Sequence, residues 1–202
     1  MARLFVGLDI HEPLIHDLSE ARGGVESAHW QRDNQLHLTL AFIGDTPRKA
    51  TREIEDALAA IRFDPFELSL EGVGMFGKPK FPKILWAGVA DKAPLQHLHE
   101  KIATVLDRVG VEIDRRKYKP HVTLARFRRG SEARVGDWLT RNQTLKTNAV
   151  TIDNFVLFSS KRTSEGSFFH HEAEFHAFGH DMNTHDYSED ELYRDWAVVS
   201  AE

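Results

Sequence analysis

Two segments of the chain carry the same polar side chains at the same spacing. They are His37-Leu38-Thr39-Leu40-Ala41 and His121-Val122-Thr123-Leu124-Ala125, 84 residues apart. One His-x-Thr means little in a chain with 12 histidines, and a single copy reads as a solvated sheet face. Two copies with matched apolar flanks point to one site built twice. An imidazole titrates near neutral pH, so of two convergent histidines one can be neutral and the other protonated. The neutral ring can take a proton from an attacking water or hydroxyl while the protonated ring gives one to a departing oxygen, each role worth about 10²–10⁴ in rate. Threonine hydroxyls beside them can donate to non-bridging phosphate oxygens as charge shifts there. The set suits phosphodiester chemistry. Each His-x-Thr supplies only one good metal ligand, so neither a metal nor a cofactor is expected.

Such side chains need stiff strands behind them. In an extended strand residues i and i+2 share a face, so His37 points with Thr39 and His121 with Thr123. Leu38, Leu40, Val122 and Leu124 then point into apolar core. Leu36–Ile43 and His121–Phe127 are accordingly read as strands, and pseudo-twofold packing of two similar halves brings their polar faces together across a cleft. Residues 3–9 read as a strand and Glu12–Arg22 as a helix stopped by Gly23–Gly24. Gly44-Asp45-Thr46-Pro47 reads as a turn, with Thr46 as N-cap of a helix to about Ile61. Phe66–Met75, Ile84–Ala90, Val150–Phe158 and Ser167–Phe178 are further strands, the last preceded by a turn near Glu165–Gly166. Gly72–Lys78 lacks the ending of a P-loop and reads as strand end and turn. Leu95, Leu98, Ile102, Leu106 and Val109 trace an apolar stripe on a helix closed by Gly110, and Ser131–Asn142 is another helix. The pattern predicts an α+β fold. It is bilobal, with two pseudo-symmetric lobes of antiparallel sheet, helices packed outside and a central cleft. The lobes span about 1–77 and 78–179 of a single domain, 1–179.

Composition bounds the class. The chain has 202 residues, 41 % apolar and 28 % charged, and no cysteine. That excludes disulfides, zinc–thiolate sites and thiol nucleophiles. The opening apolar run is too short for a secretory segment, and no stretch approaches the roughly 18 apolar residues of a membrane span. The expectation is a cytoplasmic monomer that does not engage membranes. The net charge of −5 is unevenly spread. His180–Glu202 carries seven acidic residues against Arg194, a net of −6, so the rest of the chain carries +1. Within it, basic residues gather at Lys78–Lys83, Arg115–Lys119 and Arg126–Arg129. The last two clusters flank the second motif, as a phosphate-bearing ligand would favour.

At these residues the chain resembles the 2H phosphoesterase superfamily, defined by two His-x-Thr/Ser-x motifs with apolar x. More narrowly, it resembles the bacterial and archaeal RNA 2′,3′-cyclic phosphodiesterases, historically called 2′-5′ RNA ligases. The similarity extends through "RLFVGLDI", "NQLHLTLAFIGD" after Trp30, "FPKILWAGV", "YKPHVTLARF" and "FVLFSSKRT", covering about residues 3–178. The resemblance implies a bilobal fold around a cleft and metal-independent opening of an RNA 2′,3′-cyclic phosphate end to a 2′-phosphomonoester. His37 and Thr39, and His121 and Thr123, carry over as the site. In this nearly symmetric pair His37 is taken as the proton donor to the 3′ leaving oxygen and His121 as the acceptor from water, and Arg126 matches a family arginine that contacts phosphate or nucleotide. In an ideal strand Arg126 points away from His121, so its place needs twist or a strand end. The same scaffold also serves small cyclic nucleotides, ADP-ribose cyclic phosphate, 2′-5′ linkages and reversible 2′-5′ ligation. A non-catalytic RNA-end binding module is the alternative from another class.

Other polar residues read more plainly. His170, Glu172, Glu174 and His176 share a strand face that is solvated rather than metal-binding, and His97 and His99 read as surface residues of their helix. Trp30 and Trp86 read as core. The acidic extension 180–202 departs from the family pattern, and Ser188-x-x-Glu191 resembles a capping box opening a short helix.

Overall fold

A computed structural model describes residues 2–113, 118–163 and 166–178. The whole acidic extension, with its Ser188–Glu191 capping box, lies outside them, as does part of the turn expected near Glu165–Gly166. Among the described residues ten strands and four helices follow in the order β1 (Ala2–Asp9), α1 (Leu14–Glu20), β2 (His29–Trp30), β3 (His37–Thr46), α2 (Arg48–Ala59), β4 (Phe66–Leu68), β5 (Leu70–Lys78), β6 (Phe81–Val89), α3 (Ala93–Arg108), β7 (His121–Arg126), α4 (Gly136–Asn142), β8 (Val150–Ile152), β9 (Asn154–Thr163) and β10 (Gly166–His176). A 3₁₀ turn, Asp33–Gln35, leads into β3.

The fold is α+β, as the alternation predicts. Its main sheet runs β10-β9-β1-β3-β7-β6-β5, with β2 added to β7, while β4 and β8 pair separately. Every pairing among these strands is antiparallel. The two motif strands, β3 and β7, are the neighbours at the middle. Each half therefore has a motif strand at the seam, but strand pairing crosses the sequential division near residue 77. β5 joins β6 in the second half, and β9 and β10 return to β1 in the first.

The faces of the sheet differ. Leu4, Val6 and Leu8 of β1, Leu38 and Leu40 of β3, and Val122 and Leu124 of β7 enter the main apolar core. There they meet Leu95, Leu98, Ile102 and Leu106, the buried stripe of α3, each contributing roughly 1.5–3 kcal/mol by leaving water. On the other face Phe5, Val156 and Phe158 form a small separate cluster with Phe169 against it.

Several boundaries move from the sequence reading for identifiable reasons. β3 does not stop at Ile43: Gly44, Asp45 and Thr46 stay paired with Leu4, Arg3 and Ala2. Thr46 is thus in the ladder, its hydroxyl donates to the Gly44 carbonyl at 3.1 Å, and Pro47 occupies the N-cap position. Gly72–Gly77 continues β5 instead of turning. Gly74 is needed there, because a Cβ would fall inside the Trp86 ring lying across it. The fourth helix begins only at Gly136. Among the described residues no helix is long and apolar enough to cross a membrane.

Candidate active site

The strands β3 and β7 are joined in the ladder by one residue pair, Leu38 with Val122. Carried one residue either way, that antiparallel register sets His37 opposite Thr123 and Thr39 opposite His121. The two histidines are then diagonal neighbours, with Cα atoms roughly 7–8 Å apart in a regular sheet. In that register the four motif residues alternate across the seam between the two strands.

Both rings are oriented in the same way. His37 Nδ1 lies 2.8 Å from the Gln35 carbonyl oxygen, and His121 Nδ1 lies 2.7 Å from that of Lys119. A carbonyl only accepts, so each Nδ1 carries the proton and donates it. Each neutral ring therefore keeps its lone pair on Nε2. The approach to His37 is itself tied down. The Gln35 amide donates to the Ser167 carbonyl at 3.0 Å, and the Arg32 backbone N–H donates to Gln35 Oε1 at 2.9 Å. Arg22 pairs with Asp33 at 2.6 Å.

The surroundings make the two rings unequal. His37 is 8 % exposed, with its ring centroid 4.7 Å from Phe169 and 5.0 Å from Phe5. Burial in that aromatic pocket is the main reason its pKa falls from 6.5 to about 4. The Gln35 hydrogen bond and Asp9 oppose the fall, while Arg126 and His121 add to it. His121 is half-buried, edge-on to Phe76 at 4.9 Å and 6.2 Å from Trp86. Its pKa is also lowered, first by burial and then by Arg126, with the Lys119 carbonyl opposing. In the free protein both rings are held neutral.

Arg126 reaches the site through a bulge. Trp86 pairs with Thr123 but Leu85 pairs with Ala125, so Leu124 is an extra residue in β7. An extra residue reverses the facing of everything after it. Arg126 thus turns to the side of His121 and Thr123, where it is exposed and depresses both imidazoles. The first half repeats the device: Gly7 pairs with Thr39 and Val6 with Ala41, leaving Leu40 extra. Phe42, the counterpart of Arg126, is 64 % exposed as a result. Phe42, Trp30, Arg32, His37, Arg126 and Phe169 all line one cavity of about 880 Å³.

Of the residues expected at the site, His37 and Arg126 line one cavity, and Arg126 and His121 both act electrostatically on His37. Thr39 and Thr123 are set beside them by the register of β3 and β7. The sequence reading missed the aromatic box of Phe5, Phe158 and Phe169, although β1 is apolar on both faces, which is the mark of a strand covered on both sides. Trp30 is half-buried and packs against the main core as expected, 5.9 Å from the Trp138 ring, while also lining the cavity. Trp86 is half-buried beside His121, with its Nε1 buried and without a hydrogen-bond partner among the described residues. His99 is not a surface residue: it is half-buried, with Nδ1 2.8 Å from the Leu40 carbonyl oxygen. In β10, Glu174 accepts a hydrogen bond from Asn154. His171 pairs with Asp9 at 2.9 Å, and that hydrogen bond raises its pKa. Among the described residues no group of three or more histidines, cysteines or carboxylates is placed to hold a metal ion.

The family model for the 2′-5′ RNA ligase superfamily matches residues 10–164. An Archaeoglobus fulgidus protein named RNA 2′,3′-cyclic phosphodiesterase is 29 % identical over 171 residues, covering 81 % of this chain and 94 % of its own. A Geobacillus stearothermophilus protein of the same name is 33 % identical over 131 residues, 64 % of this chain and 41 % of its own. A solved structure from Thermus thermophilus superposes with a TM-score of 0.73 at 21 % identity, covering 89 % of this chain and all of that one.

Proposed function

The chain belongs to the 2′-5′ RNA ligase superfamily, and on that footing we propose that it hydrolyses 2′,3′-cyclic phosphates at RNA ends to 2′-phosphomonoesters. One observation carries the reading. Two imidazoles, each with Nδ1–H committed to a carbonyl two residues upstream, offer Nε2 from diagonal positions on adjacent strands. In the proposed reaction a water oxygen bonds to phosphorus while the P–O3′ bond breaks. One Nε2 takes the water proton and the other delivers a proton to O3′, leaving a 2′-phosphate and a free 3′-hydroxyl. Thr39 and Thr123 donate to the non-bridging oxygens, and Arg126 offsets the phosphate charge. No step is assigned to a metal or cofactor. Relatives carrying the name RNA 2′,3′-cyclic phosphodiesterase along most of this chain support the substrate.

We assign the donor role to His37 and the acceptor role to His121. The half-exposed His121 is the ring that water reaches, while His37 borders the cavity with the aromatic walls a nucleoside would occupy. Because His37 is neutral in the free protein, it takes up its proton as the anionic phosphate arrives, and substrate binding should be accompanied by proton uptake near pH 6.

The test is incubation with a 2′,3′-cyclic-phosphate oligonucleotide in EDTA, with the product identified by phosphorus NMR. A 2′-phosphate is expected, and both His37→Ala and His121→Ala should lose about 10²–10⁴ in rate. A cyclic substrate whose 3′ leaving atom is sulfur needs little protonation, so it should restore turnover to His37→Ala and not to His121→Ala. Salt-sensitive binding without product would instead indicate an RNA-end binding module.

A further inference from the structure

The two bulges that follow the motif threonines need outside donors, and they are served differently. In β7 the carbonyl of the extra residue, Leu124, accepts from the backbone N–H of Gln31 at 2.8 Å, just past β2. Strand β3 pairs with β7 only at Leu38, and side chains take over at its bulge. His99, from α3, donates its Nδ1–H to the Leu40 carbonyl at 2.8 Å. Tyr118 donates its hydroxyl to the Thr39 carbonyl at 3.1 Å. The two rings stack, with centroids 4.2 Å apart and planes within 11°. Tyr118 also stands next to Lys119, whose carbonyl orients His121.

We propose that His99 and Tyr118 form a positioning brace that fixes the backbone of the first motif relative to the second. Neither side chain touches the reacting atoms. One end of the brace holds the carbonyls of Thr39 and Leu40, and so the aim of Thr39 and the facing of Phe42. The other end belongs to the segment that orients His121. Burial raises the Tyr118 pKa, so the phenol remains a donor through the physiological range. A brace of this kind aligns groups during the reaction and adds nothing to ground-state affinity, so its loss should fall on kcat.

This inference rests on the proposed hydrolysis, and two readouts keep them separate. Turnover of a cyclic-phosphate dinucleotide is measured for Tyr118→Phe, His99→Leu and His99→Asn, the last keeping an N–H near the Nδ1 position. Tyr118→Phe and His99→Leu should each lower kcat by about tenfold with KM within about twofold, and His99→Asn should recover most of the loss. In parallel, the imidazole nitrogen resonances of His37 and His121 and the amide signals of β3 are followed by NMR in the free protein. Tyr118→Phe should shift the Thr39–Phe42 amides while the fold signals elsewhere persist. Unchanged kcat in both single variants, or a loss confined to KM, overturns the brace. If the wild-type protein turns over no cyclic phosphate, the hydrolysis reading fails by itself. The NMR comparison then decides the brace alone: displaced β3 amides uphold it and an unchanged spectrum refutes it.

Discussion

Replacing His37 with glutamine removes one titrating group from a pocket that holds it neutral, and the effect on stability should depend on pH. In the unfolded chain His37 titrates near 6.5, and in the folded protein near 4, because Phe5, Phe158 and Phe169 exclude water around it. Above pH 6.5 neither state binds the proton and His37 contributes its full stability. As pH falls the unfolded chain takes the proton first, so that stability is lost progressively until about pH 4. At about 1.4 kcal/mol per pH unit, the loss is about 2 kcal/mol at pH 5 and about 3 kcal/mol at pH 4. Urea unfolding of wild-type protein and His37→Gln at pH 7.5, 6 and 5 measures it, because the other histidines cancel in the difference. The gap between the two proteins should shift by about 2 kcal/mol in favour of the variant between pH 7.5 and pH 5. Parallel curves would mean that water reaches the ring and that the aromatic box does not set its protonation.

Arg126→Met should raise KM for a cyclic phosphate and lift the pKa values of both imidazoles, since the guanidinium lowers each. The acidic limb of the pH–rate profile should accordingly move to higher pH. Gly74→Ala sets a methyl against the Trp86 ring beneath His121, so thermal unfolding should report a loss of about 1–3 kcal/mol. Phe42→Ala, at an exposed cavity position, should leave the melting temperature within a few degrees of wild type and weaken nucleotide binding in a fluorescence titration.

The motif strands and the helix stripe of α3 are legible because burial on one face imposes a period, and a period survives in a single sequence. The four His and Thr positions follow from that period alone. Arg126 does not, since counting by twos sends it into the core. The extra residue at Leu124 that corrects the count is an ordinary leucine, with nothing in its type to mark a bulge. The identical Leu at position 40 marks the same event, visible only once both ladders are drawn. His99 escapes the sequence reading for a related reason. It flanks an apolar stripe like any solvated helix residue, and its partner is a backbone carbonyl, which leaves no trace in the sequence. The sequence leaves open whether the final strands cross to the first lobe, and the pairing of β9 with β1 and of β10 with β9 shows that they do, because order in an antiparallel sheet depends on which edge is open, not on chain order.

The halves of the main sheet meet at Leu38 and Val122, one ladder pair in the middle of an otherwise continuous surface. Each imidazole is tied to its own half, by the Gln35 carbonyl on one side and the Lys119 carbonyl on the other. Two further ties cross the same seam, for the Tyr118 hydroxyl donates to the Thr39 carbonyl and His99 of α3 donates to the Leu40 carbonyl. The facing of His37 and His121 therefore depends jointly on one ladder pair and two side-chain hydrogen bonds, so loss of either kind of tie alters how the two rings are presented to one another.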